Sequence, residues 1–326
     1  MTAAVLARMS EFRGLRPLDQ GRDLAAVADL IEGAFPARID APGKRMLREM
    51  RWLGRSGWFG RLLTWMLLPG SPYSQGYVWE EAGRVVGNAS LMRVEEGGGR
   101  WVLANVVVHP AFQRRGIGRA LVEASLEHVR RSGGSHLILQ VESTNTAAQR
   151  LYAALGFQAR TTRTTWSRAA RAGAEALKDS SAVRGQRADE WQLEWSLASR
   201  LHPEGLLWPL PLRADLFRPA VLSETIRIEG RGRWVWPSEG EPRAFLSAHP
   251  LAEPRGWRLT LLVEPTWRGQ AAGPLLARAV RWLGGGRTAL TIEYPAAVAE
   301  EAFVGAGFQP ERTLTWMELD LRRATD

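Results

Sequence analysis

The apolar positions of this chain change period as it runs, and the changes mark out its elements. Val102 to Val108 is a continuous apolar run broken by Asn105 alone, the pattern of a buried strand. Short runs of the same kind predict strands over 76–80, 84–94 and 100–108. Leu121, Val122, Leu126 and Val129 then recur at helical spacing and predict a helix over 117–131, which Gly133-Gly134 ends. A strand over 136–141, a helix over 146–155 and a strand over 158–167 follow. Upstream, Arg22 to Phe35 reads as an amphipathic helix. Strands dominate early and helices alternate with strands later, so the expected class is α/β, a mixed, mostly antiparallel sheet flanked by helices.

The pattern occurs twice. Residues 156–166 read Gly-Phe-Gln-Ala-Arg-Thr-Thr-Arg-Thr-Thr-Trp, and residues 307–316 read Gly-Phe-Gln-Pro-Glu-Arg-Thr-Leu-Thr-Trp. Val108-His109-Pro110 likewise matches Val263-Glu264-Pro265, and each is followed by a turn and a helical stripe, the second made by Leu275, Leu276, Val280 and Leu283. Two copies of one domain are the economical reading. The predicted layout is a first domain over 1–168, a small, polar, alanine-rich linker over 169–183 and a second domain over 184–326.

Composition narrows the chemistry. The 326 residues are 45% hydrophobic, enough for a core in each of two domains, and contain no cysteine, which excludes disulfides, thiolate metal sites and a cysteine nucleophile. The histidines, at 109, 128, 136, 202 and 249, stand at no metal-ligand spacing, so no metal is expected. Met1 to Leu18 has no uninterrupted apolar core before Arg8 and Arg13, and Trp58 to Leu68 is too short to span a bilayer. A cytoplasmic protein with no membrane partner is expected. The net charge of +9 is placed unevenly: residues 1–168 hold 23 Lys and Arg against 14 Asp and Glu, and residues 169–326 hold 20 of each. That excess would steer a polyanionic ligand to the first half. A genome composition favouring arginine is the plain alternative, since lysine occurs only at 44 and 178. The arginines are interleaved with acids and form no stripe, so nucleic acid is not an expected partner.

The charged half contains a candidate phosphate loop. Residues 108–118 read Val-His-Pro-Ala-Phe-Gln-Arg-Arg-Gly-Ile-Gly, which is a strand end, a glycine-bearing turn and a helix start. Such a junction aims several backbone N–H groups and the positive end of a helix dipole at one spot, and glycine lets the chain approach an anion closely. Taken alone, Gly116 and Gly118 also fit an ordinary strand–helix turn. Further on, Asn145 is a natural helix N-cap, with Ala148, Leu151, Tyr152 and Leu155 at helical spacing and Gly156 at the end.

The two stretches together carry a resemblance. Gln113-Arg114-Arg115-Gly116-Ile117-Gly118 after a buried strand resembles the acyl-CoA-binding loop of the GCN5-related N-acetyltransferase (GNAT) superfamily, and Asn145-x-x-Ala148-x-x-Leu151-Tyr152-x-x-x-Gly156-Phe157 resembles a later motif of that family. The motifs cover about 50 residues, and the flanking pattern extends the likeness over 12–167. The resemblance implies two tandem GNAT-like domains, an acetyl-CoA co-substrate and no metal. It places the CoA diphosphate on the N–H groups of Arg114 to Arg119, with Arg114, Arg115 and Arg119 adding charge. It places the pantetheine arm along the backbone of Val106, Val107 and Val108, and Asn145 against the same arm. Tyr152 would be the proton donor to the departing CoA thiolate; as a plain aromatic it would pack in the core.

The implied activity is direct transfer of an acetyl group to an amine, on a small molecule or a peptide. Alternatives are a non-catalytic acyl-CoA sensor or scaffold and a transferase for a longer acyl group. Many family members carry a glutamate on the strand before the loop. Here Trp101 to Val108 holds Asn105 as its polar residue and no carboxylate, so the general base is left open, with a water chain near Asn105 or Glu142 as candidates. Ala41 to Ser74, with Trp52, Trp58, Phe59, Trp65 and Met66, would form the acceptor pocket, pack on the second domain or make a homodimer face. In the second copy Ala271 stands for Gly116, Phe303 for Tyr152 and Ala296 for Asn145, while Gly273 keeps the place of Gly118. The second domain therefore reads as a degenerate copy.

Overall fold

Two compact units build the molecule, and neither is continuous in the chain. One comprises Met1–Val141, Asn145–Ala159 and Met317–Asp326; the other comprises Glu142–Thr144 and Arg160–Trp316. The computed structural model describes residues 13–35, 41–55, 75–94, 98–170, 181–202, 206–207, 210–218, 232–251, 256–283 and 288–322.

The first unit is a sheet of β1 (Arg13–Pro17), β2 (Gln75–Glu81), β3 (Arg84–Arg93), β4 (Arg100–Val108) and β5 (His136–Glu142), in that order, followed by the C-terminal end of a strand that spans Gln309–Asp320. The first three pairings are antiparallel and β4 runs parallel to β5. Helices α1 (Gln20–Ala34) and α2 (Ala41–Arg55) supply one apolar cluster, in which Leu24, Val27, Leu47 and Met50 meet Val78 and Val107. Helices α3 (Ile117–Arg131) and α4 (Thr146–Ala154) supply a second, in which Leu121, Val122 and Val129 are fully buried beside Leu103, Leu137 and Leu139. Full burial of side chains of this size contributes about 1.5–3 kcal/mol each. Met317 and Leu321, from the far end of the chain, belong to the same cluster as Tyr152 and Phe157.

The second unit repeats the element order. Strands β8 (Gly232–Trp236), β9 (Ala244–Leu251), β10 (Gly256–Val263) and β11 (Ala289–Pro295), with α6 (Arg268–Trp282) and α7 (Glu300–Gly305), follow the sequence of β2, β3, β4, α3, β5 and α4. Helix α5 (Trp191–Leu201) packs through Leu197 and Ala198 on Val235, Phe245 and Leu262, and β7 (Arg184–Gly185) pairs with β8. The neighbour of β11 here is β6 (Gln158–Arg168), antiparallel, from the first half of the chain. Next to β6 lies the N-terminal part of β12 (Gln309–Asp320). The two Thr-rich segments of the sequence repeat thus face each other: Thr162 Oγ1 is 3.2 Å from Thr315 Oγ1, and Thr164 Oγ1 is 2.9 Å from Thr313 Oγ1.

The elements expected over 76–167 are present within a residue or two. Two others escaped the pattern. Strand β1 is five residues long, and Ala41–Arg55 is a helix although Lys44, Arg45, Arg48, Arg51 and Arg55 crowd it, since Leu47 and Met50 are its fully buried positions. Trp58, Phe59, Trp65 and Met66, and the linker from 171 to 180, lie outside the described residues.

Candidate functional site

The site begins where two strands part. β4 and β5 pair over Arg100, Trp101 and Val102 opposite His136, Leu137 and Ile138, and the pairing goes no further. Leu103 to Val108 is therefore left with β3 on one edge and no described strand on the other. On the β3 edge Ser90 faces Ala104 while Asn88 faces Val107, so β4 carries an extra residue there. This is a bulge, and Asn105 sits in it with φ of 52°. The side chain of Val107 is buried among α1 and α2, so at this place Val107 has only its backbone to offer a ligand. Val106 and Val108 pack toward the α3 side.

Beyond Val108 the chain makes a single 3-10 turn, Pro110–Phe112, and then a tight loop. Gln113 Nε2 donates to the Val108 carbonyl at 3.1 Å and ties the loop to the strand end. Arg115 donates to the Ala111 carbonyl at 3.0 Å and stacks over the Phe112 ring at 4.9 Å. Arg114 and Gly116 both have positive φ, 62° and 79°. Alternation of this kind about Arg115 turns successive N–H groups toward one concavity, a form that binds anions. Helix α3 starts at Ile117 with no side-chain cap, so its first N–H groups have no partner within the helix, and its dipole adds about half a positive charge at that end. Among the described residues, nothing beyond its two chain neighbours lies within 4 Å of where a Cβ on Gly116 would stand. The space before the helix is open, lined with donors and flanked by the exposed side chains of Arg114, Arg115 and Arg119. Such a cradle fits a diphosphate.

Ile117 points into the core and anchors the helix start. A Cβ on Gly118 would lie 3.6 Å from Leu151 and 3.9 Å from Val108, so this position brings α4 against the loop. The second motif thereby reaches the first. Asn145 caps α4, accepting from the Ala148 N–H at 3.1 Å. Tyr152, one residue past Leu151, is buried and lies edge-on to Phe157 at 5.8 Å. Burial pushes its phenol up to about 12, so it keeps its proton across the neutral range. Arg119 pairs with Glu123 at 3.3 Å on the surface, an interaction too exposed to fix the guanidinium in place.

The second unit is built differently at the matching place. After β10 a 3-10 turn, Pro265–Trp267, runs directly into α6 at Arg268, so residues 268–271, which match Gln113–Gly116, are already helical. Ala271 is fully buried, and Phe303, in the place of Tyr152, stacks on Trp166 with ring centres 4.9 Å apart.

Asn88 was missed by the motif reading. It is fully buried; its Nδ2 donates to the Asn105 carbonyl at 2.9 Å and to Ser90 Oγ at 3.1 Å, while its Oδ1 has no partner among the described residues. Leaving a buried acceptor unmatched costs about 1–3 kcal/mol. An amide inside the apolar strand Val85–Leu91 is the sequence signal that marks it.

Residues 44–157 match the family model described as "Acetyltransferase (GNAT) family". Among curated proteins, the chain is 43% identical over 61 residues to a [ribosomal protein bS18]-alanine N-acetyltransferase of Escherichia coli (strain K12), covering 19% of this chain and 41% of that protein. It is 31% identical over 147 residues to a mycothiol acetyltransferase of Thermobispora bispora, covering 44% of this chain and 45% of that one. The chain thus spans less than half the length of these relatives. Among solved structures, a GCN5-related N-acetyltransferase from Sphaerobacter thermophilus aligns with a TM-score of 0.59 at 16% identity, over 94% of this chain and 95% of that one. A tandem GNAT protein from the clavulanic acid biosynthesis pathway aligns with a TM-score of 0.50 at 17% identity, over 95% and 98%. At these identities the structures establish the fold alone. The parted strands, the loop and nearly all of the family match lie in the first unit, so residues 44–157 carry a GNAT-family domain.

Proposed function

We propose that the protein is an acetyl-CoA-dependent N-acetyltransferase whose first unit carries the chemistry and whose second unit is a non-catalytic copy. The observation that carries this reading is the free edge of β4 leading into the left-handed turn at Arg114–Gly116 and the uncapped start of α3. The path offers backbone groups at its two ends, on the parted edge of β4 and at the uncapped start of α3. It suits a ligand with a thioester at one end and a diphosphate at the other.

In this reading the N–H groups of Arg114 to Arg119 hold the diphosphate. The backbone of Val106 to Val108 aligns the pantetheine arm, and a strand N–H near the bulge stabilises the charge that develops on the thioester oxygen. The neutral amine nitrogen bonds to the acetyl carbon, the carbon–sulfur bond breaks, and the sulfur leaves as a thiolate. Tyr152 donates to that sulfur and takes a proton back from solvent, which receives the one lost by the amine nitrogen. A phenol held near 12 is present as the donor at every working pH. The helical start of α6, the buried Ala271 and the Trp166–Phe303 stack support the non-catalytic reading of the second unit. The acceptor is an amine on a small molecule or a peptide.

The test follows free CoA with a thiol reagent while a panel of amines and peptides is offered with acetyl-CoA; the chain has no cysteine to add background. Tyr152→Phe should lower kcat about 100-fold, within the range for loss of a general acid, and leave CoA affinity within about threefold. An unchanged kcat removes Tyr152 from the donor role. Tight CoA binding with no release for any acceptor favours an acyl-CoA sensor instead.

A further inference from the structure

Strand β4 could have stayed regular, and the residue that prevents this lies on its neighbour. The bulge inserts one residue between the Ser90–Ala104 and Asn88–Val107 pairs and puts Asn105 in the left-handed region, where a residue with a Cβ is strained. Asn88 Nδ2 holds the Asn105 carbonyl at 2.9 Å. The carbonyl can only accept, so the amide orientation is fixed and both of its N–H bonds are spent, the second on Ser90 Oγ. Its Oδ1 is left buried and unmatched among the described residues. A leucine of similar volume would fill this position between Val78 and Val107 without that penalty, so packing alone does not account for an amide here.

We propose that Asn88 is a positioning residue for acyl transfer: by clamping the Asn105 carbonyl it sets the bulge, and with it the course of the parted β4 edge along which the thioester would lie. The inference rests on the transferase reading above. The clamp lies at the far end of the ligand track from the Arg114–Gly116 turn, so it governs the acyl group and leaves the diphosphate untouched.

Asn88→Leu keeps the volume and removes the clamp, and Asn88→Ala is the second variant should leucine repack the strand. Circular dichroism checks that each variant folds. Titration calorimetry gives the affinity for CoA. An isotope-edited infrared spectrum reads the carbonyl stretch of bound [1-13C]acetyl-CoA without any acceptor present. In the wild type the bound band should move to lower frequency than in solution; in folded Asn88 variants it should return toward the solution value. With a working acceptor, kcat should fall about 10- to 100-fold, up to the lower end of the loss seen when one oxyanion donor is removed outright, while CoA affinity stays within about threefold. A carbonyl band the same in wild type and variants overturns the inference, as does a loss of kcat matched by an equal loss of CoA affinity. A shifted wild-type band that the variants lose, in a protein that transfers to no amine, upholds the clamp and defeats the transferase reading. No binding of acetyl-CoA defeats both.

Discussion

Gly116 shows how much one backbone angle can carry. Its φ of 79° is open to glycine and costs other residues about 1–2 kcal/mol, and no described residue beyond its chain neighbours reaches the space where a Cβ would stand. Gly116→Ala should therefore fold normally and weaken CoA binding by about tenfold or more, through backbone strain and through the methyl group placed where a phosphate would lie. Calorimetric titration with CoA checks this, and an affinity equal to that of wild type would show that the turn does not hold the diphosphate. Arg114 has a comparable angle without being glycine, so the loop already contains one strained position. The roles of Gly116 and Asn145 were legible because each depends on local backbone: a left-handed turn calls for glycine, and a helix start calls for a capping side chain. Asn88 was not legible, because its importance comes from register across two strands, and nothing in residues 84–93 alone says that β4 slips by one residue opposite it.

At the scale of elements, α1 is fastened to the edge of the first sheet by ions, while its apolar face enters the core. Asp19 caps the helix, and Arg16 on β1 donates to both oxygens of Asp23 at 2.6 and 2.8 Å and to Glu80 on β2 at 2.7 Å. Arg22 adds a second cation to Glu80 at 2.8 Å. Asp23 and Glu80 are almost fully buried, so each carboxylate depends on these partners. Together the two carboxylates hold the Arg16 guanidinium far above its ordinary value against the opposing effect of burial. Arg16→Met would leave Asp23 with the Asp19 N–H and the more distant Arg22 guanidinium, 4.0 Å away. The expected loss is about 3 kcal/mol, the lower end for breaking a buried pair, because Arg16 is partly exposed. Urea unfolding measures it, and adding Asp23→Asn should recover part of the loss by removing the orphaned charge. A loss below about 1 kcal/mol would mean that water already serves this carboxylate. The pattern that hid β1 and α2 from a sequence reading has the same origin. β1 owes its place to Arg16, whose partner Glu80 lies 64 residues away, and α2 to two buried apolar positions in a basic stretch, so neither shows the long apolar period of β4 or α3.

For the whole molecule, the decisive feature is that the last strand of each repeat is counted in the other unit. Residues 160–168, which a boundary at 168 would leave with the first half, are counted in the second unit; Arg163–Arg168 pair with β11, and Trp166 and the buried Arg168 lie against Phe303 and the Ala306 carbonyl. Met317–Asp320 instead lies beside β5, Leu321 donates its N–H to the Ser135 carbonyl at 2.9 Å, and Met317 and Leu321 are buried in the core that holds Tyr152. The sequence repeat revealed that the two strands are counterparts. It could not reveal their exchange, since two strands of matching pattern satisfy either core equally well on paper. The exchange has a consequence for any attempt to isolate the first repeat. A fragment of residues 1–168 lacks the strand that covers Leu139, Val141 and Phe157, and it carries β6 with no β11 to receive it. Because β6 resembles the strand that is missing, two fragments can satisfy each other by donating it reciprocally, the usual outcome when a hinge separates a strand from its core. The fragment is therefore expected to dimerise or aggregate in size-exclusion light scattering and to melt well below the full chain. A monomeric fragment that melts with the full chain would show that residues 317–321 are dispensable to the first core.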